Sequence, residues 1–348
     1  MSLASRAYQL ADDDAAQHYA RECGWTDGLP VVAPTPERVA AMLEWAGLPP
    51  DHVIAVEPVT SRAVTAEKVA INAVLAGCLP PDLPVVAAAM TALCRPEVLV
   101  HGATASTGGC ALLLVVNGPV RRELGMSSAH SALAGPDRAS VCIGRAVRLV
   151  VRNLLGARPG ELDRSTLGHP GKLSWCVAED EEGGAPWIPL AQERGIPAEL
   201  SAVTVFAASG PRQVMNEWTT DPVDVLTTIV AEIRATMLHY SIWAGNYALV
   251  LPPQLRDVLQ RAGWSKADVR RFVHEHAVVR RSDWEQVGKA AVVNDWNRDR
   301  EYRALRSPED LLVISAGGPA GGFAAVIPPW LGPKSAAATA AVGACVDC

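Results

Sequence analysis

The sequence predicts an α/β fold, a layered mixed sheet covered by helices, and three observations predict it. Short apolar runs of strand length alternate along the chain with longer segments of helical period, the pattern of α/β layering. Helical segments open on a capping side chain followed by proline, as at Thr35–Pro36 and Asp221–Pro222. The stretches VLVHGATASTGGCALLLVV and LLVISAGGPAGGFAAVI both read strand, small-residue loop, strand. With the helix ends WAGL and RAGW, they raise the expectation of two similar halves.

In chain order, Ala4–Glu22 has an amphipathic helical pattern that Gly24 stops. A helix is expected from Pro36 to Ala46, ended by Pro49 and Pro50, and a strand over Val53–Val56. TAEKVAINAVLAGC opens a helix at Thr65, and the almost wholly apolar Leu83–Leu93 reads as a buried helix. Val98–Val100 is expected to begin a strand that meets the small-residue loop His101–Cys110. ALLLVVNGP then reads as a buried strand turning at Asn117 and Gly118. Ser140–Leu155 is a helix with Arg145, Arg148 and Arg152 on one stripe. Lys172–Ala178 is expected as a strand, Leu173, Trp175 and Val177 on one face and Ser174 and Cys176 on the other.

Beyond it come a strand at Ala202–Ala208, a helix capped by Asp221 and a strand at Tyr247–Leu251. Two helices follow, the second opened by Ser265 and Asp268 in the manner of a capping box. The strand LLVISA runs into GGPAGGFAAVIPPW. The expected division is an α/β half over 1–190, a second over 191–333 with the glycine-rich loop, and a flexible tail over 334–348, with the joint near 183–198.

Composition narrows the function. Half of the 348 residues are hydrophobic, enough for a large core, and a net charge of −6 without any Lys/Arg run argues against nucleic acid. No apolar stretch has signal-peptide or membrane-span length, so a cytoplasmic protein is expected, with a homo-oligomer left open. Eight cysteines in so long a chain do not read as a disulfide framework.

The candidate chemistry centres on Asp163–Leu190. His169 and Lys172 enter the expected strand, Cys176 lies on it and Glu179 leaves it. A thiol beside His169 or Lys172 would have a lowered pKa and react as thiolate. Cys176 is therefore the candidate nucleophile or redox thiol. His169 and Lys172 would activate it or hold an anion, and Glu179 would serve as acid or base. A core cysteine beside a solvated acidic turn is the alternative. Cys110 is a second candidate thiol, in a loop whose amides can hold an oxyanion. Asp27 in WTDGLP, Arg145, Asn117, Gly318 and Gly321 are candidate substrate contacts. The loop Gly317–Gly322 lacks both the P-loop ending and the GxGxxG spacing, so it reads as the wall of a small-molecule site rather than a nucleotide cradle. His274 and His276 are two apart and diverge on a helix, which is no zinc motif. Cys345 and Cys348 form a CxxC that can relay electrons or a thiophilic metal ion; no motif requires a cofactor.

DGLPVVAPTPERVAAML, TAEKVAINAVLAGC, NGPVRRELGM, ASVCIGRAVRLVVRN, STLGHPGKLSWCVAEDEEGGAPWIPL and LLVISAGGPAGGFAAVIPPW together resemble a bacterial family that accompanies UGSC-type (seleno)proteins. The resemblance spans Trp25 to Trp330; the tail bearing Cys345 and Cys348 departs from it. It implies thiol or selenol redox chemistry, or reductive cleavage, alongside a (seleno)protein partner, and implies neither a cofactor nor a catalytic residue. The leading expectation is a cysteine-dependent enzyme, or enzyme subunit, acting on a small molecule by thiol redox or bond cleavage. A non-catalytic scaffold for a (seleno)protein and metal handling through the C-terminal pair are the alternatives.

Overall fold

The computed structural model describes residues 2–240, 244–330 and 335–343. Capping decides where the first helices start. α1 covers only Asp13–Glu22, because the Asp12 carboxylate accepts the Ala15 amide and the acidic residues suit a helix N-terminus. In α2 (Pro36–Ala46) the Thr35 hydroxyl caps as expected, and Gly47 in the left-handed region closes the helix before Pro49 and Pro50 are reached. The hairpin β1 (Val53–Val56) and β2 (Ala63–Thr65) leads into α3 (Ala66–Ala76), and α4 (Leu83–Leu93) is buried along nearly its whole length.

The strand expected at Val98–Val100 is not formed. Pro96–Val98 makes a 3₁₀ turn, and α5 (Val100–Ala105) follows, with the Thr104 hydroxyl donating to the Val100 carbonyl at 2.8 Å. Three apolar residues behind a proline do not distinguish a strand from one buried helical turn.

β3 (Ala111–Asn117), α6 (Val120–Glu123) and α7 (Arg138–Asn153) come next, α7 capped by Asp137. β4 is only Cys176–Ala178, since Pro170–Lys172 is spent on a 3₁₀ turn. After α8 (Glu181–Gly184) and α9 (Leu190–Glu193) run β5 (Ala202–Ala208), β6 (Arg212–Met215) and α10 (Pro222–His239). β7 (Tyr247–Leu251), α11 (Pro253–Arg261) and α12 (Lys266–His276) follow, α12 opened by the expected reciprocal Ser265–Asp268 box. A small hairpin pairs β8 (Val278–Arg280) with β9 (Glu301–Arg303), and β10 (Leu311–Ser315), β11 (Phe323–Ile327) and β12 (Ala338–Ala341) complete the described chain.

Two four-stranded sheets result, ordered β4-β3-β5-β12 and β10-β7-β11-β6. Each joins two parallel strands, then continues with two antiparallel ones. By this pattern β3, β4 and β5 correspond to β7, β10 and β11. The fourth strands are exchanged: β6 follows β5 but pairs with β11, and β12 follows β11 but pairs with β5. The two crossing segments touch at an antiparallel bridge between Ala208 and Pro329. Two similar halves are present, although the matching strands are not the two copies chosen from sequence.

The sheets pack face to face, because strand alternation sends Leu113, Val115, Val177 and Phe206 towards Val250, Leu312, Ile314 and Ile327. On the outer side of the first sheet, Leu114, Val116 and Val203 pack on α2, α3, α4 and α7. Outside the second, Leu249, Val313 and Val326 pack on α10, α11 and α12. The order of layers is helix, sheet, sheet, helix.

Strand exchange also redraws the expected boundaries. β5 lies beyond residue 190 yet sits in the first sheet, and the supposed tail returns as the buried strand β12. No single helix among the described residues is long and apolar enough to cross a membrane.

Candidate functional site

The residues expected to act together are separated by the pleat of β4. Cys176 is buried on the helix side of the sheet, where its charged neighbours are Asp137 and Asp82; burial first, then these carboxylates, push its pKa up. This reverses the expected activation. Lys172 is instead held by Asp163 at 2.7 Å, and the same carboxylate binds Arg148 at 3.1 Å. Burial works against charge on Asp163, but Lys172 and Ser165 outweigh it and hold its pKa below the usual carboxylate value. His169 accepts the Gly171 amide at Nδ1 (3.2 Å) and faces the Ala208 carbonyl with Nε2 (3.3 Å). These partners select the neutral ring protonated on Nε2. Burial lowers its pKa in agreement.

Cys110 belongs to another cluster, with Ala103 and Ala207, and donates its thiol proton to the Ala103 carbonyl at 3.2 Å. Burial pushes its pKa up to about 12 despite the pull of Lys172 and Arg148. Cys176 pairs in register with Leu114, which puts Cys110 roughly 13 Å further back along β3, so the two thiols do not form a dithiol site.

Glu179 is a structural anchor rather than an exposed acid or base. It is 1% exposed, and its oxygens accept from Asn117 Nδ2 (2.7 Å), Leu190 N (2.7 Å), Lys266 Nζ (3.1 Å) and Ser315 N (3.4 Å). Asn117, expected at a substrate, spends its amide on Glu179 and on Glu181 (2.8 Å), while Arg121 holds Glu181 at 2.8 Å. These groups stand where β4 and β10 end side by side, the Asp180 amide reaching the Ser315 carbonyl at 2.7 Å.

The remaining expected contacts are likewise taken up by the protein. Asp27 and Arg145 bind each other through two 2.8 Å hydrogen bonds. Burial opposes the charge on Asp27, but the guanidinium prevails and lowers its pKa. Gly318 lies so close to His130 that a Cβ would come within 2.9 Å of the ring, and the Gly321 amide donates to Gln254 at 2.8 Å. Cys345 and Cys348 lie outside the described residues. Among the described residues no three His, Cys, Asp or Glu side chains converge as metal ligands.

A ligand-sized concavity opens at the opposite end of the first sheet. Because β3 and β4 are parallel, the loops entering them lie at one end, and antiparallel β5 delivers its exit to the same place. Thr107–Gly109, Thr166–His169 and Ser209–Arg212 therefore converge, with Tyr240 from the end of α10, around a cleft of about 500 Å³. Gly109 and Gly168, at φ +69° and +72°, let two of these loops touch, since a Cβ on Gly109 would stand 2.7 Å from the Gly168 nitrogen.

The cleft is rich in uncommitted donors. Among the described residues the amides of Gly109, Leu167, Gly168 and Gly210 and the guanidinium of Arg212 make no hydrogen bond. Tyr240 donates to the Gly108 carbonyl at 3.4 Å, a long contact. Burial raises its pKa, against the opposing pull of the Ser209 hydroxyl and Arg212.

Of these residues, sequence reasoning had named His169 and the 101–110 loop. It missed Ser209, Gly210, Arg212 and Tyr240; the only local signal was the Ser-Gly-Pro turn after β5. A second cavity, a chamber of about 20 Å³, is lined by Cys110, Arg148 and Lys172. No protein-family model and no curated protein matches this chain in sequence.

Proposed function

We propose that this chain is a small-molecule enzyme, or enzyme subunit, whose substrate occupies the cleft between the glycine loops, with Tyr240 as proton donor. The observation that carries this reading is the cleft itself, of about 500 Å³ and lined by unpaired donors. Its size lies within the roughly 300–1,000 Å³ typical of ligand sites. Tyr240 is placed as a donor by its hydroxyl at the cleft wall; burial, which raises its pKa, only argues against its acting as a base. The test is a metabolite panel read by thermal shift and turnover. The nearest atoms to a Cβ on Gly210 are those of the His169 side chain, at 3.6 Å or more, so Gly210→Leu is tolerated by the backbone and fills the cleft. It should abolish binding, whereas Tyr240→Phe should retain binding within a few-fold and lose turnover. A ligand that binds Gly210→Leu unchanged would place the site elsewhere.

A thiol-dependent reading, with the (seleno)protein partner that the resemblance implies, is favoured by one observation: the Cys110 thiol shares its chamber with Lys172 and Arg148. With a pKa of about 12, Cys110 is about one part in 10⁵ thiolate at neutral pH. Residue-resolved alkylation across pH separates the readings. The cleft reading expects the less buried Cys23 and Cys142 to react first and Cys110 and Cys176 only as the fold opens. Rapid reaction of Cys110 near neutrality would favour thiol chemistry.

A further inference from the structure

Resting on the reading of the cleft as the substrate site, we infer that its ligand is an organic anion whose carboxylate or phosphate head is bound by Arg212. Among the described residues, those around the cleft include no aspartate or glutamate. Arg212 stands at the start of β6, exposed and without an ion-pair partner among the described residues, while two arginines of the α7 stripe, Arg145 and Arg148, are neutralised by Asp27 and Asp163. The third, Arg152, is likewise without an ion pair among the described residues but does not line the cleft. The amides of Gly109, Leu167, Gly168 and Gly210 have no protein partner among the described residues, and neither do the carbonyls of Leu167, Gly168 and Gly210. The backbone of the wall thus offers both donors and acceptors, and the exposed Arg212 supplies its charge. Among the described residues a cationic or amine ligand would find no carboxylate here, whereas an oxyanion matches the charge of Arg212 and can accept from the free amides beside it. A guanidinium with neighbouring amides is suited to an oxygen-rich head, because charge-assisted hydrogen bonds are shorter and stronger than neutral ones. Pro211, the Tyr240 and His169 rings and Leu167, which is 95% exposed, supply apolar surface for a ligand body.

Arg212 is a specificity residue, which binds the head group and takes no chemical step of its own. His169 completes the wall but keeps both ring nitrogens on the backbone, so it contributes surface rather than charge.

Benzoate, phenyl phosphate and the uncharged benzamide are the probes, titrated calorimetrically into the full chain and into Arg212→Gln, Arg212→Lys and Gly210→Leu. At least one of the two anions should bind saturably, with benzamide weaker by about tenfold or more. Arg212→Gln should weaken the anion by about tenfold, as expected for losing hydrogen bonds to a charged group at a partly exposed site. Arg212→Lys should recover part of that loss. The anion that binds tighter identifies the head group. Equal affinity for benzamide and the anions, still blocked by Gly210→Leu, overturns the anion inference while leaving the cleft as the site. Anion binding that Gly210→Leu does not touch overturns the cleft reading itself. Absence of saturable binding by either anion also overturns the inference.

Discussion

Replacing Glu179 with alanine is expected to destabilise the protein by about 3–5 kcal/mol, the range for removing one partner of a buried ion pair. The side chain is enclosed, and its loss strands four donors at once: the Asn117 amide, the Leu190 and Ser315 backbone N–H groups and the Lys266 ammonium. Lys266 is itself 4% exposed and would keep only Glu193, at 3.5 Å, as a counter-charge. Urea denaturation of Glu179→Ala and Glu179→Gln measures the effect. The glutamine can still accept hydrogen bonds but leaves the ammonium unbalanced, so its loss should be smaller than that of alanine yet well above zero. A wild-type-like midpoint for Glu179→Gln with lost turnover would instead return Glu179 to the acid–base role expected from sequence.

Deleting residues 335–348 should be as damaging, because it strips β12 from the edge of the first sheet. Thr339 hydrogen-bonds Thr204 at 2.8 Å, the Ala337 amide donates to Asn246 at 2.6 Å, and Arg194 donates to the Ala337 carbonyl at 2.7 Å. Thr204 and Asn246 are buried, so each partner left unsatisfied costs about 1–3 kcal/mol. With the backbone ladder to β5 also lost, the total reaches roughly 4 kcal/mol or more, a large part of the 5–15 kcal/mol that holds a typical domain together. Circular dichroism and thermal melting of the deletion should show a poorly cooperative protein. Removal of 344–348 alone keeps every contact just named, so it isolates the contribution of Cys345 and Cys348. Equal stability of the two truncations would mean that β12 is not needed to complete the sheet.

The two experiments probe what was hardest to read from the chain. Thr35, Asp221 and Ser265 announced their helices, and the apolar runs at Ala111–Asn117, Ala202–Ala208, Tyr247–Leu251 and Leu311–Ser315 became strands, because caps and strand periods act over a few neighbouring residues. The candidate site fared differently. His169, Lys172, Cys176 and Glu179 are adjacent in sequence, yet they face a cleft wall, a buried carboxylate, a helix layer and a buried salt-bridge network. Tyr240 and Arg212 reach the cleft from elements that carried no catalytic motif.

The sequence by itself determined the alternation of helices and strands, the capped helix starts at Thr35, Asp221 and Ser265, and the apolar runs that became the central strands, all through local chemistry. The start of the first helix, the extent of Cys176–Ala178 and the turn at Pro96–Val98 were not fixed locally. Tertiary structure alone decided that β6 and β12 exchange sheets, that Glu179 meets Lys266 and that the glycine loops enclose a cleft. Those outcomes depend on partners tens to hundreds of residues away, such as Ser335 on the Val98 carbonyl. Each side chain is compatible with many such partners until packing and the need to pair every buried polar group select one arrangement.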